Sequence, residues 1–182
     1  MKHVMLDLET MGVAPNAAIM SIGAVKFDPT RRELYAPGDP DYEPPFYMTV
    51  DLQSCLDMGL KLDGSTVTWW MTQPTETRER LLKDTQQLQT VLNEFAIWFG
   101  PVSMPVWGNG AAFDCVILRS AFIATGVYPP WTFRDERCYR TLCAAMPGVP
   151  WEKPTVAHDA LEDALAQAKH LQKVYYHLNL VE

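Results

Sequence analysis

Residues 4–10 read VMLDLET, an apolar stretch in which acidic residues alternate with leucine. In a strand, side chains alternate between the two faces, so Asp7 and Glu9 share one face and Leu6 and Leu8 share the other. Two carboxylates this close repel each other unless a proton or a cation lies between them, and their hard oxygens suit Mg²⁺ or Mn²⁺. An isolated D-x-E pattern is more often a solvated strand end, so its interpretation depends on the other acidic clusters of the chain.

The length and composition predict one domain, residues 1–182, because a chain of this size with 48% hydrophobic residues can bury a substantial core. No apolar run reaches 18 residues and no signal-like segment opens the sequence, so we expect no membrane association. The four cysteines lack C-x-x-C spacing, which predicts reduced, mostly packed thiols and a cytoplasmic location.

The net charge of −7 argues against a broad basic surface that grips long nucleic acid by neutralising its phosphates. It does not exclude a nucleic-acid partner, because cations bound at an acidic site reverse the local sign of the charge. The charge therefore disfavours only tight, non-specific binding of duplexes.

The order of the secondary-structure signals predicts an α/β fold. Strand signals come first, at residues 2–8, 18–27 and about 46–50, and the connections between them favour an antiparallel arrangement. Helical signals then dominate, with caps expected at Ser65–Thr66 and at Thr75. The predicted helices cover residues 67–71, 76–82, 85–99, 113–124, 135–145 and 159–176, and a short strand is predicted at 104–107. We therefore expect a mixed sheet with antiparallel first strands, flanked by helices on both faces.

A second acidic position, Asp114, follows the strand predicted at 104–107 and lies on the first turn of a helix. Carboxylates are favoured there by the positive end of the helix, so an ordinary helix-terminal acid would explain Asp114 taken alone. The preceding Gly108-Asn109-Gly110 is similar to the start of a dinucleotide-binding loop. However, Phe113 replaces the third glycine and no acidic residue follows at the spacing that would contact a ribose, so we discount that function.

The third cluster contains His158 and Asp163 at the start of the last predicted helix. Asp163 lies between apolar residues of the core stripe, where a lone acid would need a partner. His158 precedes the helix and titrates near neutrality, so beside a metal site it could accept a proton from an attacking water. Spacing alone leaves Asp159 and Glu162 as competitors of Asp163 for a metal ion.

These clusters occur in a known order: Asp7-x-Glu9, then Asp114, then His158-x₄-Asp163. In this the chain resembles the DEDDh 3′-5′ exonucleases of the ribonuclease H-like superfamily, over residues 4 to about 170. A narrower resemblance, to small bacterial and phage exonucleases related to the nuclease domain of exonuclease VIII, rests on Trp69-Trp70, residues 106–110 (VWGNG) and residues 137–142 (RCYRTL).

The resemblance implies a ribonuclease H-like fold and two-metal hydrolysis of phosphodiester bonds at the 3′ end of single-stranded RNA or DNA. Two Mg²⁺ or Mn²⁺ ions about 4 Å apart would activate a water and stabilise the leaving 3′ oxygen. Asp7 would bridge both ions, Glu9 and Asp163 would hold the ion that carries the attacking water, and Asp114 would help to hold the second. His158 would take the proton of the water.

Substrate contacts are expected within or beside the motifs, at Thr10, Met11, Trp69, Asn109 and Arg140. Met11 and Trp69 could stack on a terminal base, as could Trp70 and Trp107, although core packing is the commoner role of each tryptophan taken singly. Trp69 and Trp70 are about 100° apart on a helix, so one of them should face the cleft or, in a homodimer, a partner subunit.

Arg137 and Arg140 are predicted to lie one helical turn apart, where they could contact phosphate or pair with surface acids. Nothing in the sequence decides between RNA and DNA, since no reader of the 2′-hydroxyl is identifiable. The polarity rests on the resemblance alone, because relatives of exonuclease VIII can act with the opposite polarity on duplex DNA.

Two alternative functions remain open. One is a non-cleaving module of the same fold that binds nucleic acid or protein, which the four clustered carboxylates argue against. The other is a hydrolase of short oligonucleotides or small phosphoesters, which an acidic surface permits.

Overall fold

The computed structural model describes residues 2–154 and 156–180. In this part of the chain the strands are β1 (His3–Thr10), β2 (Ile19–Phe27), β3 (Phe46–Thr49), β4 (Val106–Gly108) and β5 (Glu136–Cys138). The helices are α1 (Leu52–Asp57), α2 (Gly64–Met71), α3 (Thr75–Leu81), α4 (Leu88–Phe99), α5 (Asp114–Thr125), α6 (Tyr139–Ala144) and α7 (Ala160–His177).

The strands form one sheet in the order β3-β2-β1-β4-β5. β1 pairs with β2 and β2 with β3 in antiparallel fashion, whereas β4 is parallel to both β1 and β5. The predicted mixed sheet with antiparallel first strands is therefore confirmed. β1 lies at the centre, and its carboxyl end carries the acidic motif.

Helices cover both faces of the sheet, and the alternation of β1 decides which side chains meet them. Val4, Leu6 and Leu8 pack in one apolar cluster with α4 and α5. Met5 packs in a second cluster with α7, on the opposite face. Asp7 and Glu9 follow Met5 at intervals of two residues, so they point to the side of the sheet that α7 covers.

Several predicted boundaries were wrong. The segment predicted as a helix over 135–145 begins with β5, which pairs in parallel with β4, and becomes helical only at Tyr139. α1 was missed because six residues are too few to show a helical period.

The predicted caps of two helices were also wrong. α2 is capped by Asp63, whose carboxylate accepts the backbone N–H groups of Ser65 and Thr66. Thr75 is the first residue of α3 and Pro74 occupies the N-cap position, without a side-chain hydrogen bond. α4 begins at Leu88, three residues after the predicted start.

Among the described residues, no helix combines the length and the apolar character that a bilayer crossing requires. The four cysteines are free: Cys55 and Cys115 are buried, and Cys138 and Cys143 are partly buried. The prediction of unpaired, mostly packed thiols agrees with this arrangement.

The first turn of α7 lies directly on the sheet, over Gly23 of β2. Gly23 is the antiparallel partner of Asp7, and a Cβ atom added to it would overlap the backbone of Ala160 and Leu161. Only a glycine permits this approach, which brings the beginning of α7 next to the acidic end of β1.

We expect Gly23→Ala to destabilise the protein, because the new methyl group meets backbone atoms that cannot rotate away. Overpacking of this kind costs about 1–3 kcal/mol, which for a chain of this length lowers Tm by about 2–12 °C. The matched control is Gly64→Ala at the start of α2, where the added Cβ meets open space. Calorimetry that gave both variants the wild-type Tm would contradict the close approach.

Candidate active site

Three carboxylates converge where the end of β1 meets the start of α7. Oxygen atoms of Asp7, Glu9 and Asp163 lie within 4.8 Å of one another. Glu9 is buried, whereas Asp7 and Asp163 are partly buried. The strand alternation of β1 aims Asp7 and Glu9 at α7, and the glycine at position 23 lets α7 come close enough for Asp163 to join them.

The structure distinguishes Asp163 from Asp159 and Glu162, the two neighbouring acids that competed with it as metal ligands in the sequence analysis. Asp159 is the N-cap of α7: its carboxylate accepts the backbone N–H groups of Leu161 and Glu162 at 3.1 Å. It also accepts a hydrogen bond from Arg80 at 3.1 Å. Glu162 lines a different cavity along the side of α7. Of the three, only Asp163 belongs to the compact carboxylate set.

Asp114 is the first residue of α5 and is almost fully buried, at 2% exposure. It packs against Gly108 at the end of β4, where an added Cβ would come within 2.8 Å of the Asp114 Cβ. Its Oδ2 atom has no hydrogen-bond partner among the described residues. A buried carboxylate oxygen without a donor lowers the stability of the folded protein, so a proton or a cation at this atom would be stabilising.

Asp7 and Glu9 both hold their protons more tightly than ordinary carboxyl groups. Burial raises the pKa of Glu9 to about 8, and the nearby charges of Asp163 and Asp159 add to the effect. Burial also raises the pKa of Asp7 well above its usual range, and the charge of Asp114 contributes next. The pKa values thus report a repulsive cluster of acids.

The pKa of Asp114 is also raised, to about 7, chiefly by burial. Backbone N–H groups of Leu8 and Asn109 and the charge of Arg140 oppose the rise. Burial raises the pKa of Asp163 too, while the charge of His158 opposes that shift. His158 and Arg140 therefore act electrostatically on opposite members of the acidic cluster.

The four carboxylates fit a divalent cation. Every donor is a hard oxygen, three of them converge, and the fourth side chain has an oxygen without a partner. Hard cations such as Mg²⁺ and Mn²⁺ take ligand sets of this kind, and a cation converts the mutual repulsion into attraction.

His158 lies at the rim of the cluster, one residue before the cap of α7. Its side chain is exposed and its backbone has a φ of 59°, an uncommon conformation for a residue other than glycine. The imidazole makes an edge-to-face contact with the ring of Trp69, at 4.9 Å between centroids. The Trp69 contact thus restricts the position of the imidazole, which stays exposed to solvent.

A cavity of about 520 Å³ opens next to Glu9, with Thr10, Val13, Trp69 and Phe113 among its walls. We call this cavity the cleft. Its volume lies within the range of small-molecule sites. The cleft adjoins the carboxylate cluster because Glu9 belongs to both.

The adjacent tryptophans have different environments, as their angular separation required. Trp70 is buried and its indole N–H donates to the Thr10 carbonyl oxygen at 2.9 Å. Trp69 is 41% exposed and lines the cleft. Trp107 is buried as well, and its indole N–H donates to His3 Nδ1 at 3.0 Å. Only Trp69 of these three presents a substantial exposed surface.

The other expected substrate contacts divide between the cleft and its surroundings. Thr10 lines the cleft, and its hydroxyl donates to the Gly12 carbonyl oxygen at 2.7 Å. Met11 instead packs, partly buried, against two apolar clusters and does not line the cleft.

Arg140 and Asn109 are joined by a hydrogen bond, from Arg140 Nη2 to the Asn109 carbonyl oxygen at 2.8 Å. The prediction that Arg137 and Arg140 lie one turn apart on the same helix was wrong, because Arg137 belongs to β5. Arg137 donates to the carbonyl oxygens of Arg134 and Glu136.

Sequence reasoning missed Gln167. This residue lies one turn after Asp163 on α7 and is buried, and its Nε2 donates to Asp7 Oδ1 at 2.8 Å. The i, i+4 spacing from Asp163 was the available signal, since it places both side chains on one face of the helix. Apart from this spacing, nothing in the sequence indicates that Gln167 has a functional role.

Comparison with known proteins places this chain in a family and finds a relative from a phage. The family described as the Rv2179c-like 3′-5′ exoribonuclease domain matches residues 2–175. An exodeoxyribonuclease of Enterobacteria phage T4 is 28% identical over an alignment of 189 positions, gaps included, which spans 87% of this chain and 82% of that protein.

Solved structures share the fold at low sequence identity. Exonuclease I from Methylocaldum szegediense is 13% identical, with a TM-score of 0.69, and the E. coli exonuclease I complex with single-stranded DNA is 15% identical, with a TM-score of 0.69. The match covers 98% of this chain but only 41% of each of those proteins. The nuclease domain of 3′hExo, a DEDDh family member bound to rAMP, is 12% identical, with a TM-score of 0.60, over 97% of this chain and 92% of that domain.

The raised pKa values predict how stability depends on pH when no cation is bound. An acid whose pKa is higher in the folded state binds protons more tightly when folded, so stability is lost as pH rises from the unfolded pKa to the folded one. For Glu9 that interval runs from 4.5 to about 8. We therefore expect the Tm of the cation-free protein to fall between about pH 5 and pH 8, and Glu9→Gln to reduce that fall.

Glu94→Gln is the control, because Glu94 is exposed on α4, away from the cluster. Calorimetry in the presence of a chelator should give this variant the wild-type dependence of Tm on pH. If Glu9→Gln showed the same dependence as well, the repulsive cluster would not be the cause of the loss.

Proposed function

The chain belongs to the family of Rv2179c-like 3′-5′ exoribonuclease domains, as the DEDDh pattern predicted, and we propose that it removes nucleotides from the 3′ end of single-stranded RNA or DNA. The family match identifies it as a 3′-5′ exonuclease, and the pattern Asp7-x-Glu9, Asp114 and His158-x₄-Asp163 assigns it to the DEDDh type. The observation that carries the proposal is the convergence of Asp7, Glu9 and Asp163 within 4.8 Å, beside the buried Asp114.

The proposed cofactors are two Mg²⁺ or Mn²⁺ ions held by Asp7, Glu9, Asp114 and Asp163. When bound, two such ions activate a water for in-line attack and stabilise the leaving 3′ oxygen. The carboxylates suit this task because burial and mutual repulsion destabilise their charged forms, which a cation would stabilise. A domain that only binds nucleic acid has no physical need for this costly cluster.

His158 is the proposed general base. Its exposed imidazole stands beside Asp163, and a ring nitrogen can take the proton of the attacking water. Contact with the Trp69 ring restricts where the imidazole lies before substrate arrives. The next residue along the chain, Asp159, forms a salt bridge with Arg80 and caps α7, so it is held from two sides.

The cleft is the proposed site of the terminal nucleotide. Trp69 offers an exposed aromatic surface on which a base of any sequence can stack, and such stacking contributes about 1–3 kcal/mol. Thr10 forms part of the same wall. Met11 contributes indirectly, by packing behind the wall rather than by touching substrate.

Arg140 is the proposed phosphate contact. Its partners in the structure are the carbonyl oxygen and the side-chain oxygen of Asn109, and no carboxylate lies within 4 Å of it among the described residues. Its charge therefore remains available to a phosphate close to Asp114. Asn109 would orient the guanidinium.

The proposal extends to the setting of the enzyme. We propose that it acts in the cytoplasm, where cysteines stay reduced, as the four free cysteines here are. We also propose that it acts as one domain. The homodimer stays a prediction. It was suggested by an exposed tryptophan, and the exposed one, Trp69, lines the cleft.

Blocked oligonucleotides test the proposed polarity and substrate. We expect single strands of one sequence to lose mononucleotides stepwise from the 3′ end with Mg²⁺ or Mn²⁺, and a 3′ block or a chelator to stop the reaction. Gel analysis of RNA and DNA, each as single strand and duplex, gives the substrate preference from the rates. Degradation that continued past a 3′ block and ceased with a 5′ block would reverse the proposed polarity.

Asp7→Ala is the cleavage-deficient control in these assays. It removes a charge from a repulsive cluster, so we expect a folded protein without activity. A mononucleotide ester added in parallel distinguishes a hydrolase of small phosphoesters, which would cleave the ester faster than the strand.

His158→Ala should lower turnover by about 10²–10⁴-fold, the usual contribution of a general base. The affinity for Mn²⁺ should change little, because all four carboxylates remain. His177→Ala is the matched control, since His177 is exposed at the far end of α7. Wild-type turnover in His158→Ala, measured with a labelled single strand, would remove this residue from the mechanism.

A further inference from the structure

Gln167 makes a buried contact with the acidic cluster that the mechanism above does not use. Its side chain is 3% exposed, and its Nε2 donates to Asp7 Oδ1 at 2.8 Å. No other described side chain donates a hydrogen bond to this carboxylate. The same side chain carries an acceptor, Oε1, that has no partner among the described residues.

We propose that Gln167 is a positioning residue, which fixes the orientation of the Asp7 carboxylate and thereby sets the affinity of the site for a divalent cation. This inference rests on the proposed function, in that it takes Asp7 as a cation ligand. Gln167 would act through Asp7 and would not touch the cation or the substrate.

The location of Gln167 on α7 explains how it can do this. Asp163 and Gln167 are four residues apart, so one face of one helix supplies both a member of the cluster and the donor to Asp7. The Asp7 carboxylate can otherwise rotate about its terminal bond, because the broad torsion of this group has no strong preference. A donor on Oδ1 removes that freedom and also favours the charged form, which a cation requires.

Packing does not account for a glutamine at this position. The buried Oε1 without a partner lowers stability, whereas methionine has nearly the same length and no unsatisfied atom. The amide is therefore explained by what its N–H group does for Asp7. Outer hydrogen bonds of this kind typically change metal affinity by about 10–100-fold.

A second buried glutamine on α7 provides a matched control. Gln172 is 1% exposed, and its Nε2 donates to the carbonyl oxygens of Asp28 and Glu33, both at 3.0 Å. It too has an Oε1 atom without a partner. Gln172→Met removes the same chemical groups from the same helix without touching the acidic cluster.

The test is calorimetric titration of Mn²⁺ into cation-free wild type, Gln167→Met and Gln172→Met, without nucleic acid. We expect Gln167→Met to bind Mn²⁺ about 10–100-fold more weakly than wild type, and Gln172→Met to bind it within about twofold of wild type. Turnover of Gln167→Met should approach that of wild type at saturating Mn²⁺, because every carboxylate is still present.

Each other result has a defined meaning. Equal affinity in wild type and Gln167→Met would overturn the inference while leaving the proposed function intact, whereas no Mn²⁺ binding by wild type would overturn both. Gln167→Leu serves as a second donor-free variant, and circular dichroism shows whether each variant folds. If neither variant of Gln167 folded while Gln172→Met did, the role would be structural and the inference would be wrong.

Discussion

The close approach of α7 to the sheet at Gly23 is the constraint on which the site depends. Gly23 lies opposite Asp7, and because glycine has no side chain, the backbone at the start of α7 can pack directly on the sheet there. Asp163 thereby reaches the acidic end of β1, and so does Gln167 one turn later. A larger residue would lift the helix and separate groups that are far apart in the sequence.

The site concentrates negative charge that the fold alone does not balance. Burial raises the pKa of Asp7, Glu9 and Asp114, and repulsion from neighbouring acids adds to the rise at Asp7 and Glu9. This repulsion lowers the stability of the cation-free protein, and a cation bound among the carboxylates would restore it by replacing repulsion with attraction. The overall charge of −7 is thus compatible with an anionic substrate once the site is loaded.

The sequence predicted the features that depend on residue type and period, and missed those that depend on contacts between distant segments. The alternation in residues 4–10 predicted which face of β1 carries Asp7, and the order of the acidic motifs predicted the family. β5 has three residues and is defined by pairing with β4, which no local pattern reveals. The role inferred for Gln167 likewise depends on its hydrogen bond to Asp7, which lies at the other end of the sequence and cannot be predicted from a local pattern.

The assembly of the cluster from both ends of the chain has a consequence for protein synthesis. Asp7 and Glu9 are translated before His158 and Asp163, which come with α7. A nascent chain folds from its N-terminus as it emerges, but it has no complete set of acids until α7 can dock on Gly23. The complete set of acids is therefore a late product of folding, which forms only after β1 and α7 have met.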